Sequence, residues 1–495
     1  MINLQIIKKH AKATPNNIAI KDNDKIITWN DYNKMVNNII QNFDKLYNSE
    51  KINRIIILSK NRWELLVLYS VFSSLKIPYI GVDYSSNIHQ KLHCLKEVEA
   101  NLVVYSNEFK SDINELKNLA SFNTLNIDET FTKLNSQTDD SSNIKNIINK
   151  NSNRSFESIS FTSGTSGYPK AVYRTKSFDT KRFQTLIRTY GFSEEDVFLI
   201  TLPFYHVSVL GWVRLFMNLG CKIVVTDFND CKNMYDTMIK DEITSMLIVP
   251  PLLNRLLLET EYDKRETDLK FMIVGGKNFP ADLKQKAIMR FGNIVNEYYG
   301  TTETGVNTLS NSKIMLEHPN SSGFVMEGSD IVILDKHNNV LTSNKKGRIA
   351  IYSYQNAEGY LHKQLDTVSI ENKTYIITAD YGYFDDIGRL IVMARSDIME
   401  SNGDINLYKL ESKIRLISGV KDVFITCDTD KNKEDNFRIF INFDKKMVKI
   451  FKKQVVEFIT DFMGSNTNVD IHFIPEIPYS LSGKVKVKQL KDLLA

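Results

Sequence analysis

Short apolar runs alternate with helix-like segments along the first part of this chain, and this alternation limits the folds that the chain can adopt. A helical stripe of apolar residues in 27–47 precedes a strand-like run at 54–58. A helix-like segment at 63–75 then leads to strand-like runs at 78–82 and 101–105. Strands joined through helices of this length pair in parallel. The sequence therefore predicts an α/β fold built on parallel sheets.

The same alternation returns between residues 197 and 274, after a polar segment at 136–155 that we interpret as a surface connection. From about residue 329 the pattern changes to short alternating strands, which predicts a β-rich subdomain over about 329–394. The last hundred or so residues mix strands with a helix and predict a small α+β domain. Because 495 residues are too many for one core, we predict an N-terminal domain over 1–394 and a C-terminal domain over 395–495.

Composition and charge exclude several classes of protein. The chain has 63 basic and 59 acidic residues and a net charge of +4, too weak an excess to indicate nucleic acid as a partner. Its four cysteines lack the spacing of a zinc site or a disulfide framework, which is typical of a reducing compartment. No signal peptide is recognisable, and no run approaches the roughly 20 apolar residues that span a bilayer. We expect a cytoplasmic protein with at most peripheral membrane contact.

The segment 161–170, with the sequence FTSGTSGYPK, is suited to holding phosphate. Gly164 and Gly167 let the backbone approach an anion closely, and Lys170 supplies a positive charge. The hydroxyl donors of the segment are Thr162, Ser163, Thr165 and Ser166. The segment does not match the Walker pattern, because two residues separate its second glycine from the lysine. It predicts a phosphate-binding loop of another kind, and the structural alternative is a polar linker.

Six segments in this order, the loop among them, resemble the signatures of the adenylate-forming (AMP-binding) superfamily, and in particular its acyl-CoA synthetase branch. The other five are 275–277 (GGK), 299–303 (YGTTE), 378–380 (TAD), 395–397 (RSD) and 478–484 (PYSLSGK). The resemblance covers essentially the whole chain. It implies an acid–thiol ligase that uses ATP: the acid attacks the α-phosphorus to form an acyl-adenylate and pyrophosphate, and CoA then takes the acyl group as a thioester. The implied fold is a large N-terminal α/β domain with a small, mobile C-terminal domain.

The resemblance also implies where the nucleotide binds. The backbone of Gly275 and Gly276 lines the adenine pocket, and the ring of Tyr299 covers the adenine. Asp380 accepts the hydrogens of both ribose hydroxyls, which suits an ionised carboxylate with two acceptor oxygens, and Arg395 contacts the ribose. The other implied nucleotide-binding residues are Gly300, Thr301 and those of the phosphate loop. Ala379 stands where the family usually has glycine, and this difference matters only if the backbone there needs a positive φ.

Catalytic roles are implied for a further group of residues. The Thr302 hydroxyl contacts the α-phosphate, and Glu303 holds Mg²⁺, since a carboxylate near triphosphate needs a bridging cation. Lys484, on a mobile loop, neutralises the charge that develops as acid and α-phosphate bond. Asp397 is the hinge about which the C-terminal domain turns.

The nature of the acid is indicated by His206 in the segment 203–212. Amino-acid-activating members of the superfamily usually have an aspartate there to hold the substrate ammonium. Histidine lacks that fixed negative charge, and in acyl- and aryl-CoA ligases this residue contacts the acyl end; a purely structural histidine is the alternative. We predict a fatty acid as substrate, with an aryl or other small organic acid as the alternative.

The CoA step is where this sequence departs from the family. Asp404 occupies the position of a glycine that lines the pantetheine tunnel, and Gly403 lies one residue early. A charged side chain there could obstruct the pantetheine arm, so three alternatives stay open. In the first, Gly403 or a local backbone shift preserves the tunnel and CoA is the acceptor. In the second, a carrier protein takes the acyl group, and in the third the protein binds nucleotide without catalysis. The presence of all the charged residues expected for catalysis disfavours the last.

Overall fold

The computed structural model describes residues 1–136, 143–162, 168–176, 180–263, 265–395, 406–429, 435–443, 448–464, 468–480, 483 and 485–492. Its contacts divide the chain into two compact units. The first unit comprises Met1–Leu247, Tyr262–Phe271 and Gln355–Leu365, and the second comprises Ile248–Glu261, Met272–Tyr354 and Asp366–Ala495. The predicted boundaries at 329 and 394/395 remain predictions.

Helices and strands alternate along much of the described chain. The helices are α1 Leu4–Ala13, α2 Trp29–Tyr47, α3 Trp63–Ser74, α4 Ile88–Glu97, α5 Lys110–Leu119, α6 Ile127–Leu134, α7 Ile144–Lys150, α8 Thr180–Tyr190, α9 Val207–Leu219, α10 Cys231–Lys240, α11 Pro250–Glu259, α12 Ala281–Phe291, α13 Ser312–Glu317, α14 Leu407–Arg415, α15 Val448–Met463 and α16 Val487–Asp492. The strands are β1 Ile18–Asp22, β2 Lys25–Thr28, β3 Ile55–Leu58, β4 Tyr79–Gly81, β5 Leu102–Tyr105, β6 Asn123–Asn126, β7 Ser158–Thr162, β8 Lys170–Arg174, β9 Val197–Ile200, β10 Lys222–Val225, β11 Ser245–Ile248, β12 Phe271–Val274, β13 Val295–Thr301, β14 Gly305–Asn311, β15 Phe324–Val325, β16 Ser329–Leu334, β17 Gly347–Ser353, β18 Gly359–Tyr360, β19 Thr367–Ile370, β20 Lys373–Phe384, β21 Leu390–Arg395, β22 Val420–Thr429, β23 Asp435–Phe443 and β24 Asn468–Ile474.

Parallel strands dominate the first unit. One sheet has the order β4-β3-β5-β6, with every neighbouring pair parallel. A second set has the order β11-β9-β10-β1-β2, parallel except for β2. The third, β18-β8-β7, is antiparallel. The predicted α/β fold with parallel sheets is confirmed.

Local sequence explains how the helices of this unit form and pack. At the start of α2, the Thr28 side chain accepts a hydrogen bond from the backbone of Asp31, and the Asp31 carboxylate accepts one from the backbone of Thr28. Such a capping box satisfies backbone donors that the first turn leaves unpaired. Helix α3 is apolar on all sides and almost entirely buried, as expected of a helix enclosed by other elements. No helix in the described ranges is long and apolar enough to cross a membrane.

The polar segment 136–155 differs from our interpretation of it as a surface connection. It contains helix α7, whose side chains Ile144 and Ile147 are 6% and 2% exposed. Residues three apart lie on the same face of a helix, so these two isoleucines anchor it to the core. This short amphipathic helix was not predicted from the sequence, because Asn, Lys and Ser residues surround its two buried isoleucines.

Antiparallel strands dominate the second unit. Strands β12 and β13 are parallel. Strand β14 is antiparallel to β13, and β15 is antiparallel to β14. A five-stranded sheet has the order β16-β17-β20-β19, with β21 also paired to β20. A three-stranded sheet, β22-β23-β24, packs against α14 and α15 around Leu410, Phe437 and Val455. These last two sheets agree with the short-strand and α+β patterns read from the sequence.

Helix α14 places a buried carboxylate in this unit. One oxygen of Glu411 accepts a hydrogen bond from the backbone of Ile425 at 3.1 Å, and the other accepts one from the Asn278 side chain at 3.2 Å. Desolvation nevertheless dominates and raises the pKa of Glu411 to about 7. The folded protein therefore holds a proton at Glu411 more tightly than the unfolded chain does.

We expect this carboxylate to make stability fall as pH rises. Its contribution is fully present below the ordinary pKa of 4.5 and is lost by about pH 7, a change on the order of 3 kcal/mol in the free energy of unfolding. Glu411→Gln should flatten the dependence of the urea midpoint on pH between 5 and 8 and stabilise the protein at pH 8. Glu457→Gln, which removes an exposed carboxylate, is the matched control. Equal slopes for Glu411→Gln and the unmodified protein would contradict the assignment.

Candidate active site

A tight turn between β13 and β14 carries the predicted residues Thr302 and Glu303. At the end of β13 the register shifts between Tyr299 and Gly300. A Cβ atom at Gly300 would lie 1.9 Å from the carbonyl oxygen of Gly305, so only glycine fits there. The Thr301 and Thr304 hydroxyls lie 3.0 Å apart in hydrogen-bond contact, which closes the turn. The segment 299–303 is thus held in a defined conformation.

Tyr299 and Asp380, which are 81 residues apart in sequence, are in direct contact. The Tyr299 hydroxyl donates a hydrogen bond to Oδ2 of Asp380 at 2.8 Å. Loss of water around the ring and the neighbouring carboxylate raise the pKa of Tyr299 well above its ordinary value, so the phenol stays a donor. The backbone of Asp380 also donates to the Thr378 hydroxyl, which in turn donates to the Ile349 carbonyl. These contacts orient the Asp380 carboxylate.

Arg395 lies opposite Asp380 on the neighbouring strand. The antiparallel strands β20 and β21 make the two residues cross-strand partners, and side chains directly opposite have Cβ atoms roughly 5 Å apart. Asp380 is half-buried and Arg395 is exposed. Ala379 lies within β20, and its φ is not positive. Its difference from the family's glycine therefore imposes no backbone strain.

The glycine pair at the end of β12 is required by its surroundings. A Cβ atom at Gly275 would lie 2.3 Å from the ring of Tyr298, so any side chain there would collide with that ring. Gly276 has a φ of +80°, a conformation that favours glycine. Gly275 is thus buried against the Tyr298 ring, and the exposed residue of the pair is Gly276.

The phosphate loop is flanked by two paired strands of the first unit. Thr162, at the end of β7, pairs with Lys170, at the start of β8. Ala171, the residue after Lys170, is fully buried. Beside the loop, Nε2 of His93 lies 3.0 Å from the Pro169 carbonyl oxygen. Ser163, Gly164, Thr165, Ser166 and Gly167 lie outside the described residues.

His206 directly precedes helix α9 in the first unit. Its Nδ1 lies 2.6 Å from the Ser208 hydroxyl, which fixes the orientation of the ring. The preceding residue, Tyr205, contacts Gly81 so closely that a Cβ atom there would lie 2.5 Å from the Tyr205 Cα. The ring of Tyr205 also packs edge-on against Tyr84 at 5.5 Å. His206 therefore lies next to an aromatic cluster.

Backbone contacts link the described residues of the C-terminal motif. The backbone N–H of Gly483 donates to the Ser480 carbonyl at 2.8 Å, and Tyr479 forms a bridge with Val485. Gly483 has a φ of +77°, and a Cβ atom there would lie 3.0 Å from a methyl of Val249. The predicted residues Lys484, Asp397, Gly403 and Asp404 lie outside the described residues.

The predicted metal ligand Glu303 is a single carboxylate. Among the described residues, no group of three or more His, Cys, Asp or Glu could hold a metal ion. This suits Mg²⁺ bound with a nucleotide, because that ion is held by one or two carboxylates while phosphates and water supply its other ligands. Glu303, half-buried in the β13–β14 turn, fits that requirement.

One protein-family model matches most of this chain. The family model described as "AMP-binding enzyme" matches residues 7–361, well over half of the chain. The chain belongs to the AMP-binding enzyme family. The matched range includes the phosphate loop, the glycine pair and the 299–303 segment, whereas Asp380, Arg395 and Lys484 lie beyond it. The predicted family is confirmed.

Known AMP-binding enzymes and related structures resemble the chain over nearly its full length. The 2-succinylbenzoate–CoA ligase of Bacillus pumilus is 24% identical over 491 residues, which cover 97% of this chain and 96% of that protein. The o-succinylbenzoate CoA synthetase of Bacillus subtilis, solved with its acyl-adenylate intermediate, has a TM-score of 0.80 at 19% identity and 98% coverage of both chains. The amide bond synthetase of Marinactinospora thermotolerans has a TM-score of 0.84 at 14% identity and 99% coverage of both. At these identities the two structures show a shared fold.

Several contacts of this AMP-binding enzyme were not predicted from its sequence. The Tyr299–Asp380 hydrogen bond joins two predicted residues directly, and Tyr298 explains the need for Gly275. His93 beside the phosphate loop carries no recognisable motif. Asp380 and Arg395 were both predicted site residues, but the strand pairing that makes them cross-strand partners was not predicted.

Proposed function

We propose that this chain activates an aromatic carboxylic acid, related to 2-succinylbenzoate, by adenylation and then transfers the acyl group to CoA. The predicted enzyme class, an AMP-forming acid–CoA ligase that uses ATP, Mg²⁺ and CoA, is confirmed by the family match and by the relatives. For the acid, the relatives favour the aromatic alternative over the fatty acid that the sequence first suggested. The aromatic cluster of Tyr84 and Tyr205 beside His206 is consistent with that choice.

The observation that carries the adenylation part of the proposal is the orientation of the Asp380 carboxylate, which bears on the binding of ATP. A carboxylate fixed by a phenol still has acceptor lone pairs on both oxygens, which is what a vicinal diol needs. Arg395 stands opposite it, and the Gly275–Gly276 backbone lies in the same unit. We assign this group of residues to the adenosine of ATP.

The remaining chemistry is mainly alignment and neutralisation of charge. Thr302 would contact the α-phosphate and Lys170 the terminal phosphates, and Lys484 would stabilise the charge that builds up as the acid attacks. Glu303 would hold Mg²⁺, which neutralises the phosphates when bound. His206 would contact the acyl end of the substrate.

Tyr299→Phe tests the assignment of the adenosine site. It removes one hydrogen bond to an ionised carboxylate, an interaction worth about 1.5–3 kcal/mol, so the Asp380 carboxylate loses its orientation. We expect the KM for ATP to rise about tenfold with little change in kcat, measured by acid-dependent pyrophosphate exchange. Tyr298→Phe keeps the ring against Gly275 and is the control. An unchanged KM for ATP in Tyr299→Phe would remove the support for this site.

A panel of acids tests the proposed substrate class. 2-Succinylbenzoate, 4-coumarate, benzoate and palmitate would each be supplied with ATP, Mg²⁺ and CoA, and AMP and thioester would be measured separately. We expect AMP with the aromatic acids and little with palmitate. Turnover of palmitate alone would restore the fatty acid prediction, and no AMP with any acid would favour a protein that only binds nucleotide.

A second candidate keeps adenylation but replaces CoA with a carrier protein. It rests on Asp404, whose charge stands where the sequence resemblance implies a glycine that lines the pantetheine tunnel. Supplying preformed acyl-adenylate and CoA isolates the second step. Thioester formation supports CoA as the acceptor and a tunnel preserved by Gly403, whereas its absence together with normal AMP release supports the carrier protein.

A further inference from the structure

A short strand from much later in the sequence completes the sheet that contains β7 and β8, the strands before and after the phosphate loop in sequence. The chain leaves the second unit after Tyr354, contributes Gln355–Leu365 to the first unit and returns at Asp366. Within this excursion, β18 pairs with β8, the strand that begins at Lys170. Strand β8 therefore has β7 on one side and β18 on the other.

Hydrogen bonds fix β18 along β8. The backbone N–H of Glu358 donates to the Tyr173 carbonyl at 3.0 Å, and that of Leu361 donates to the Ala171 carbonyl at 2.8 Å. The Glu358 carboxylate also accepts a hydrogen bond from the backbone of Thr175. These bonds on both sides of Tyr360 leave its backbone little freedom relative to Lys170.

The side chain of Tyr360 is in contact with the lysine of the phosphate loop. Nζ of Lys170 lies 5.4 Å from the centre of the Tyr360 ring. A cation over an aromatic face at this distance is attracted by the negative face of the ring. A lysine has a long flexible side chain and is ordered only at an entropic cost, so an attractive ring carried on a paired strand beside it narrows the positions of its ammonium group.

We propose that Tyr360 is a positioning residue that holds the Lys170 ammonium ready for the phosphates of ATP. The proposal rests on the function proposed for Lys170 and deepens it. The Tyr360 ring contacts Lys170, so its effect is exerted through that lysine. The ring, rather than the hydroxyl, makes the contact.

Binding of ATP by the purified full chain, measured by calorimetry in the absence of acid and CoA, tests this proposal. Tyr360→Leu should weaken ATP binding about two- to fivefold, the range that such an interaction implies. Tyr360→Phe, which keeps the ring, should bind nearly as the unmodified protein does. Tyr352→Leu is the matched control, because it removes a ring 5.5 Å from Lys373 in the other unit and should not alter binding.

A double-mutant cycle separates positioning from a purely structural effect. In a Lys170→Gln background, Tyr360→Leu should have no further effect on the affinity for ATP. An equal loss in both backgrounds, or a Tyr360→Phe variant as weak as Tyr360→Leu, would overturn the proposal. Because the measurement needs no turnover, failure of every acid to support AMP release would count against the proposed function and leave this test intact.

Discussion

Replacing Asp380 with alanine is expected to lower acid-dependent pyrophosphate exchange at subsaturating ATP by about a hundredfold to a thousandfold. The Asp380 carboxylate is oriented by Tyr299 and stands opposite Arg395. Two hydrogen bonds from a diol to a charged acceptor are together worth roughly 3–4 kcal/mol, and each 1.4 kcal/mol is a factor of ten. The loss should appear mainly in the KM for ATP, because the ribose does not react.

The chain offers a matched control for this substitution. Asp330 also accepts a tyrosine hydroxyl, from Tyr375 at 2.8 Å, and its carboxylate is paired with Lys373. Asp330→Ala therefore removes the same kind of contact from another part of the second unit and should leave exchange unchanged. Equal losses in the two variants would mean that the tyrosine–aspartate bond supports folding alone, and the adenosine assignment would fail.

Runs of consecutive apolar residues in the sequence predicted the parallel strands well. In β3 and β5 every residue is apolar and buried, and runs of this kind are distinctive in sequence. The glycine positions were also informative, because steric reasons for Gly275 and Gly300 are visible in the structure at both. Such features depend on the residue itself and its immediate neighbours, and a single sequence contains that information.

Contacts between distant segments could not be predicted in the same way. The pairing of β18 with β8 joins residues more than 180 positions apart, and β18 is too short to have a periodicity of its own. The cross-strand pairing of Asp380 with Arg395 lies in a ladder whose register shifts between Tyr381 and Gly382. A shift of one residue reverses the face on which each side chain lies. Sequence motifs could name these residues, but only the fold brings them together.

The second large effect is expected from Lys484→Ala, which should lower adenylation by about a thousandfold. Removing one group that stabilises developing charge typically lowers kcat by a factor of about 10²–10³. Because Lys484 carries a full positive charge, we expect its removal to fall at the upper end of that range. The preceding residue, Gly483, has a positive φ and lies so close to Val249 that a Cβ atom there would be 3.0 Å from a Val249 methyl. Exchange of pyrophosphate measures this step directly.

The same variant should leave the transfer of the acyl group largely intact. In that step the thiol of CoA attacks the acyl carbon and AMP leaves, so the attack on the α-phosphorus that Lys484 is assigned to stabilise no longer takes place. Preformed acyl-adenylate and CoA would be supplied to Lys484→Ala and to Lys486→Ala, which removes a charge two residues further along the chain and serves as the control. We expect thioester formation near the normal rate in both variants and a loss of adenylation in Lys484→Ala alone. Equal loss of both steps in Lys484→Ala would mean that the lysine serves the whole reaction, and the separate role assigned to it would be wrong.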